Sequence, residues 1–303
     1  MVTNAVAGRC TAVAAGLVAD LVLGDPPSPW HPVAWFGTAM TRLERRLYRD
    51  AVGPGVAYAA AGAGLARLAA VATPSTLVAT AVSAAGRGLV RTAGDIERHL
   101  AAGDLASARR VLPSLVGRDP AALDEVGIAR AVIESVAENT VDAIVAPAWW
   151  ALVAGSPGAL VHRAINTMDA MVGHHNARYE RFGRAAARLD DAAAWIPARL
   201  TAVLVAAVRP AAVARVADAV RRQAPAHPSP NAGVAEAAYA AALGLRLGGV
   251  TYYIGRADDR PILGDGREPR PDDIRQATRL CRDVTFALVS ALLLGAALTP
   301  SAS

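Results

Sequence analysis

Three carboxylates recur at four-residue intervals in the segment AVIESVAENTVDAIVAP. At this spacing Glu134, Glu138 and Asp142 fall on one side of an α-helix, because residues four apart lie one turn above each other. Like charges this close repel each other, and the apolar run that follows makes uncompensated acids expensive. Oxygen ligands in this pattern suit Mg²⁺ or an arginine partner. A solvated helix face is the simpler alternative.

A second polar segment, INTMDAMVGHHNARYERFG, lies between two apolar stretches. Asn166 and Asp169 share one face of the predicted helix, and His174, Asn176 and Arg178 follow at a predicted helix break. A histidine there is suited to act as a general base, since its unperturbed pKa is about 6.5. A purely structural hydrogen bond is the alternative. A zinc site is not favoured, because no third soft ligand stands at suitable spacing.

Further polar groups follow toward the carboxyl end. Asp190 and Asp191 form an acidic pair that either binds a metal or caps a helix. His227 is held by two prolines in a stiff extended segment, and Asn231 opens a helix whose first amides suit an anion. An ordinary capped helix explains these residues equally well. A Tyr-rich run then ends in a predicted turn that carries Arg256, Asp258, Asp259 and Arg260.

The elements that must position these groups are apolar helices. Of the 303 residues, 53% are hydrophobic and 19% are charged, and the mean hydropathy is +0.29, whereas soluble proteins carry about 25% charged residues. Abundant small residues suit close helix packing. Apolar runs that approach the length of a membrane span recur at 10–23, 52–72, 76–90, 143–161, 192–208 and 284–298. The composition therefore predicts an all-α, polytopic integral membrane protein.

Arginine clusters indicate its orientation. The positive-inside rule places the loop with Arg42, Arg45, Arg46 and Arg49 in the cytoplasm. We predict one membrane-embedded domain, residues 1–303, whose polar insertions form a helical sector on that side, at 94–140, 163–191 and 213–282. For the insertions to share one side, the broken segments 143–161 and 192–208 must be re-entrant or interfacial, which requires protein or water over their exposed backbone.

Several function classes are excluded or disfavoured. The sequence has no lysine, although its formal charge is +5, so Schiff-base, pyridoxal-phosphate and P-loop lysines are excluded. No basic run alternates with stacking aromatics, and nucleic acid is not a predicted partner. Cys10 and Cys281 are too few for a disulfide framework or a zinc–thiolate cluster. GxGxxG, GxSxG, Walker A and HExxH motifs do not occur.

Taken together, the polar blocks resemble the adenosylcobinamide-phosphate synthase family of cobalamin biosynthesis, called CobD/CbiB. The matching stretches run in the family's order from about Asp20 to Arg256. They are DLVLGDP with HPVAWFG, ESVAENTVDAIVAP, INTMDAMVGHHNARYERFG, ARLDDAAAWIPARL, and HPSPNAGVAEAAYAAALGLRLGG with YYIGR. The sequence departs from the pattern at Arg163, where many relatives have lysine, and at His174-His175, where a Tyr-Lys pair is common.

The resemblance implies a multi-pass inner-membrane enzyme that joins an amino alcohol to a corrinoid. Such enzymes condense the free propionate of adenosylcobyric acid with aminopropanol, or its O-phosphate, at the expense of ATP. Because a carboxylate is a poor electrophile, the propionate must be activated, most simply as an acyl phosphate. The implied partners are the corrinoid, the amino alcohol, the lipid bilayer and other cobalamin-pathway enzymes.

This chemistry suggests a role for each candidate residue. Catalysis is expected from Asp169, His174 and Glu138, with Asp169 or His174 removing a proton from the incoming ammonium group. Magnesium is expected at Glu134, Glu138, Asp142, Asp190 and Asp191. Phosphate and substrate binding is expected from Arg178, Arg256, His227, Asn231, Asn166 and Asn176.

Three other functions remain possible on the sequence alone. A polytopic transporter would line its path with broken helices and intramembrane acids, although no internal repeat is present. A lipid-alcohol phosphotransferase would need a DxxDGxxAR motif, which is missing. A non-catalytic corrinoid-binding scaffold would contain the same blocks as the enzyme, and only an assay would separate the two.

Overall fold

The computed structural model describes residues 2–25, 30–117, 120–174, 176–253 and 256–299. In this part of the chain the α-helices are α1 (Val2–Leu23), α2 (Pro32–Leu47), α3 (Val52–Ala72), α4 (Thr76–Ser83), α5 (Gly86–Ala101), α6 (Leu105–Val111), α7 (Glu125–Thr140), α8 (Ala146–Val172), α9 (Arg184–Val208), α10 (Val213–Arg222), α11 (Ala232–Leu243) and α12 (Pro271–Leu298). Strands β1 (Leu247–Tyr253) and β2 (Arg256–Leu263) form one hairpin.

Among the described residues, five helical stretches are long and apolar enough to cross a membrane. They are Ala5–Leu23, Val52–Ala72, Glu125–Val172, Arg184–Val208 and Pro271–Leu298. The predicted all-α, polytopic membrane fold is therefore confirmed. The predicted segments at 143–161 and 192–208 both lie inside such stretches, and their re-entrant placement stays a prediction.

The β-hairpin corrects the predicted turn at residues 256–260. Arg256 begins strand β2, and β1 pairs with β2 in antiparallel register, from Leu247 opposite Leu263 to Tyr253 opposite Arg256. Gly248 and Gly249 both adopt positive φ, at 81° and 83°, where the register shifts. Glycine tolerates this backbone conformation, so a bulge forms at the start of β1. The charged residues and the proline of β2 concealed the strand in the sequence.

The apolar run at 76–90 was predicted as one continuous segment, and this prediction is also wrong. Helix α4 ends at Ser83, and the amphipathic α5 begins at Gly86. Between them, the Ala85 amide donates to the carbonyl of Ala143 at 3.1 Å. Because the Ala85 amide bonds outside the helix, the helical hydrogen-bond pattern stops there, and α4 ends after about two turns.

The chain divides into two compact units. Unit 1 comprises residues 1–85, 142–194 and 288–303, and unit 2 comprises 86–141 and 195–287. Of the predicted polar insertions, 163–191 belongs to unit 1, whereas 94–140 and 213–282 belong to unit 2. Each unit contributes its own group of polar side chains.

The core of unit 1 depends on close approach between helices. Met40, Tyr58, Met168 and Phe182 belong to one buried cluster. A Cβ atom on Gly62 of α3 would lie only 2.3 Å from the sulfur of Met168. Glycine at this position therefore lets α8 pack directly against α3, as small residues do between apolar helices.

Gly55 provides the sharpest test of this packing. Its Cβ would lie 1.9 Å from the carbonyl oxygen of Phe182, so we expect Gly55→Ala to cost about 1–3 kcal/mol, as overpacking usually does. A Cβ added at Gly64, on the same helix, would meet no atom within 4 Å, and Gly64→Ala should be neutral or slightly stabilising. Thermal unfolding in detergent measures both, and equal melting temperatures would contradict the assigned contact.

In unit 2, α7, α10 and α11 surround a second core. Asp124 begins α7 by accepting a hydrogen bond from the Gly127 amide at 2.7 Å, as an N-cap does. The hydroxyls of Thr140 and Tyr239 are 2.7 Å apart and tie α7 to α11. Helix α10 is amphipathic and buries Val216 among its inward residues. These contacts fix the helix ends that carry the polar groups described below.

Candidate active site

The carboxylate stripe Glu134, Glu138 and Asp142 does not form one continuous group. Glu134 is buried, and its Oε1 accepts a hydrogen bond from the Gly248 amide at 2.7 Å. Glu138, one turn later, is exposed. Asp142 lies in a π-helical turn, Val141–Val145, which widens the helix and changes the side-chain phase. Such turns are frequent at functional sites.

In unit 1 two carboxylates meet at one amide. The Nδ2 of Asn166 lies 3.2 Å from Oδ2 of Asp142 and 3.4 Å from Oδ1 of Asp190. These residues come from the π turn, α8 and α9, so three separate segments converge. The guanidinium of Arg163 lies within electrostatic range of the carboxylates of Asp25, Asp142 and Asp20. We call Asp142, Asn166 and Asp190 the carboxylate pair site.

Asp169 and His174 follow on the same polar stretch. A Cβ at Gly173 would lie 1.8 Å from Oδ1 of Asp169, so the carboxylate folds back over the end of α8 and requires glycine there. Asp169 is half-buried, and His174 is exposed just beyond the helix. Asp191 is also half-buried, next to Asp190 on α9. His175 lies outside the described residues.

Arg178 and Asn176, both predicted to bind substrate, make structural contacts. The Arg178 Nη2 donates to Oε1 of Glu44 at 2.9 Å, and its guanidinium carbon lies 4.0 Å from the centre of the Tyr48 ring. The Oδ1 of Asn176 accepts from the amides of Arg178 and Tyr179 at 3.0 and 2.9 Å. These contacts hold the turn after α8 against α2.

Glu44 is a residue that the sequence reasoning missed. Its carboxylate is buried and accepts a second hydrogen bond, from the Tyr179 hydroxyl at 2.9 Å. A signal was present, since Glu44 stands one turn after Met40 on the apolar face of α2 and is surrounded by arginines. An acid on the buried side of an amphipathic helix indicates a partner from elsewhere in the fold.

Unit 2 contains a buried polar cluster around His227. Its Nε2 lies 3.0 Å from Nη1 of Arg260 on β2, and its Nδ1 lies 3.1 Å from the carbonyl oxygen of Ser229. Arginine can only donate, so Nε2 accepts from Arg260, and the proton of the neutral ring lies on Nδ1, where the Ser229 carbonyl accepts it. The Ser229 amide nitrogen also lies 3.1 Å from Nδ1 and cannot donate to it in this tautomer. A Cβ at Gly233 would lie 2.4 Å from the Cβ of His227. Glycine at this position therefore lets the imidazole approach the start of α11.

The surroundings of His227 keep it neutral. Burial lowers its pKa, and the charge of Arg260 lowers the pKa further, against the opposing effects of the Ser229 hydrogen bond and Glu134. Glu236 adds a second buried carboxylate, with Oε1 3.8 Å from Nε2 of the histidine. We call His227, Arg260, Glu134 and Glu236 the histidine cluster.

Asn231 begins α11, as predicted, but its side chain does not cap that helix. Its Oδ1 accepts a hydrogen bond from Nη1 of Arg199 at 2.9 Å, and Ser229 Oγ accepts from the Ala232 amide at 3.1 Å instead. Arg199, Arg260 and Glu236 were not among the predicted site residues, although all three stand in or beside the quoted blocks. The backbone of Arg256 belongs to β2, and its side chain lies outside the described part of the structure.

Known proteins are similar to this chain over most of its length. Residues 13–281 match the family described as CobD/Cbib protein. The cobalamin biosynthesis protein CobD of Mycobacterium tuberculosis is 49% identical over 289 residues, which cover 91% of this chain and 92% of the relative. The protein of the same name from Chromobacterium violaceum is 40% identical over 302 residues, which cover 92% and 96%. No solved structure matches the chain significantly. This chain is therefore a member of the CobD/Cbib protein family.

Proposed function

We propose that this protein attaches aminopropanol, or its O-phosphate, to the free propionate of adenosylcobyric acid in an ATP-dependent amide-forming reaction. Its relatives place it in cobalamin biosynthesis, a role that implies a corrinoid substrate, and its long apolar helices indicate a membrane protein. The carboxylate pair site supports the amide-forming step, because it brings two acids together within the segments that carry the family blocks. We further propose that the protein lies in the inner membrane with this site on the cytoplasmic side.

The donor set of the carboxylate pair site fits Mg²⁺. Among the described residues no three His, Cys, Asp or Glu side chains form a metal-binding group. Magnesium needs only one or two carboxylates when substrate phosphates supply the other ligands, so Asp142 and Asp190 suffice. Bound Mg²⁺–ATP supplies the phosphoryl group that activates the propionate. Ligation by Glu134, Glu138 or Asp191 stays a prediction.

The remaining residues have roles in orientation and proton transfer. Asn166 holds the two carboxylates in fixed positions, and Asp169 is the group that we assign to accept a proton from the ammonium of the amino alcohol. His227 has a neighbour at each ring nitrogen, so we assign it to hold Arg260 rather than to transfer protons. Arg260 and Arg199 are the cations that we assign to substrate phosphate or carboxylate groups. Arg178 is already paired with Glu44.

The direct test is a reconstituted reaction. Detergent-purified full-length protein is incubated with adenosylcobyric acid, ATP, Mg²⁺ and each amino alcohol in turn, and the corrinoid products are identified by mass spectrometry. We expect a product heavier by the amino alcohol minus water, formed only when ATP is present. Asp169→Asn should reduce its rate by about 10- to 100-fold.

Other outcomes identify the rival functions. Helix α8 is interrupted at Gly155, where φ is 66° and ψ is −150°. Transporters use interrupted helices of this kind. Corrinoid uptake into vesicles without amide formation would favour a transporter. Corrinoid binding without turnover or uptake would favour a scaffold, and either result would contradict the proposed ligase.

A further inference from the structure

Two segments of unit 1 are unusually basic. Residues 42–50 and 178–188 together contain eight arginines and only three carboxylates. The arginines at 42, 45, 46 and 49 on or just after α2, and at 181, 184 and 188, are all exposed. We call the arginines of these two segments the basic rim.

The fold brings the two segments together. The Glu44–Arg178 pair and the bond from the Tyr48 hydroxyl to the Arg178 carbonyl, at 3.0 Å, hold the second segment on the end of α2. Arg181 adds a contact of 3.9 Å with Asp50. Glu44 is buried under these contacts, so one of the three carboxylates is removed from the surface. The result is a single surface with a large excess of positive charge.

Both segments of the basic rim adjoin candidate membrane spans. The first segment ends at Asp50, two residues before the candidate span Val52–Ala72, and the second runs into the candidate span Arg184–Val208. Arginines that immediately flank membrane spans lie at the depth of the lipid headgroups. Trp35, on the outer side of α2, is 55% exposed, and tryptophan favours the same interfacial region.

We propose that the basic rim binds the headgroups of anionic phospholipids. Positive charges near a membrane surface attract anionic lipid, and each arginine there contributes to the attraction. The guanidinium group also matches phosphate geometry through paired hydrogen bonds. Seven rim arginines, those at 42, 45, 46, 49, 181, 184 and 188, are exposed, so they are open to the headgroup layer. The proposal does not depend on the proposed reaction.

The proposal is tested by competition between lipids. Full-length protein in neutral detergent is mixed with equal amounts of phosphatidylglycerol and phosphatidylcholine, and bound lipid is counted by native mass spectrometry. We expect preferential retention of phosphatidylglycerol. Arg45→Gln/Arg46→Gln should reduce this preference by about tenfold. Arg221→Gln/Arg222→Gln removes a matched exposed pair at the end of α10, in unit 2, and should leave the preference unchanged.

Each remaining outcome has a defined meaning. No preference for phosphatidylglycerol in the wild-type protein would overturn the proposal, and so would an equal loss in the two double variants. Displacement of the lipid by Mg²⁺–ATP would assign the rim to a substrate phosphate instead, again contradicting it. If the Arg45/Arg46 double variant has a lowered melting temperature, the single variant Arg49→Gln tells lost lipid contacts from misfolding. We expect it to reduce the preference for phosphatidylglycerol by a smaller factor, and an unchanged preference would contradict the proposal.

Discussion

Asp142→Asn is expected to reduce the rate of amide formation by about 100-fold or more while the protein still folds. The substitution keeps the size of the side chain and one acceptor oxygen but removes one of two negative charges that meet at Asn166. Stabilisation of phosphate charge by a metal contributes several kcal/mol to such reactions, and each 1.4 kcal/mol corresponds to about tenfold in rate. Initial rates at saturating Mg²⁺ measure the effect.

Two further variants make the prediction specific. If Asp142 and Asp190 hold one ion, the double variant Asp142→Asn/Asp190→Asn should lose little more activity than either single variant, because groups that act as a unit are not additive. Glu125→Gln is the matched control, an exposed acid at the start of α7, and should retain activity. Wild-type protein should also gain thermal stability with added Mg²⁺, whereas both single variants should not. Independent, multiplicative losses would contradict a shared ion.

Most of the helical architecture could be predicted from the sequence, because apolar length and small-residue content are local properties. The run at 52–72 corresponds to the whole of α3, and the run at 284–298 corresponds to the second half of α12. The break between α4 and α5 was missed because a distant carbonyl, that of Ala143, takes the amide of Ala85. The hairpin was missed because its bulge depends on the backbone angles of two glycines rather than on hydrophobic alternation.

For the candidate site, residue types were easier to predict than partners. Asp142, Asn166 and Asp190 were candidate site residues in the sequence, but only the fold shows that they meet. The four-residue spacing also grouped Glu134 with Glu138, although the carboxylate of Glu134 is buried and that of Glu138 is exposed. The contact of Arg178 with Glu44, 134 residues away, could not be predicted from the sequence. Which side chains meet depends on contacts between segments that are distant in the sequence, and helical periodicity gives no information about those contacts.

The histidine cluster leads to a prediction about acid sensitivity. Because burial and Arg260 lower the pKa of His227, the folded protein keeps this histidine neutral while the unfolded chain takes up a proton below about pH 6.5. Stability should therefore decrease as the pH falls below that value. Protonation would also place a proton on Nε2, which then could no longer accept from Arg260. We expect kcat/KM to fall on the same acidic side.

Two substitutions at His227 separate the hydrogen bond from the charge. His227→Leu removes the acceptor for Arg260 and should reduce kcat/KM by about 10- to 100-fold at pH 8, the range expected for a lost hydrogen bond to a charged group. His227→Gln offers an amide oxygen near the position of Nε2 and does not titrate, so it should keep most activity and flatten the decline at low pH. The profile is measured from pH 5.5 to 8.5 alongside the melting temperature. An unchanged acidic decline in the glutamine variant would show that another group is responsible, because glutamine does not take up a proton in this pH range.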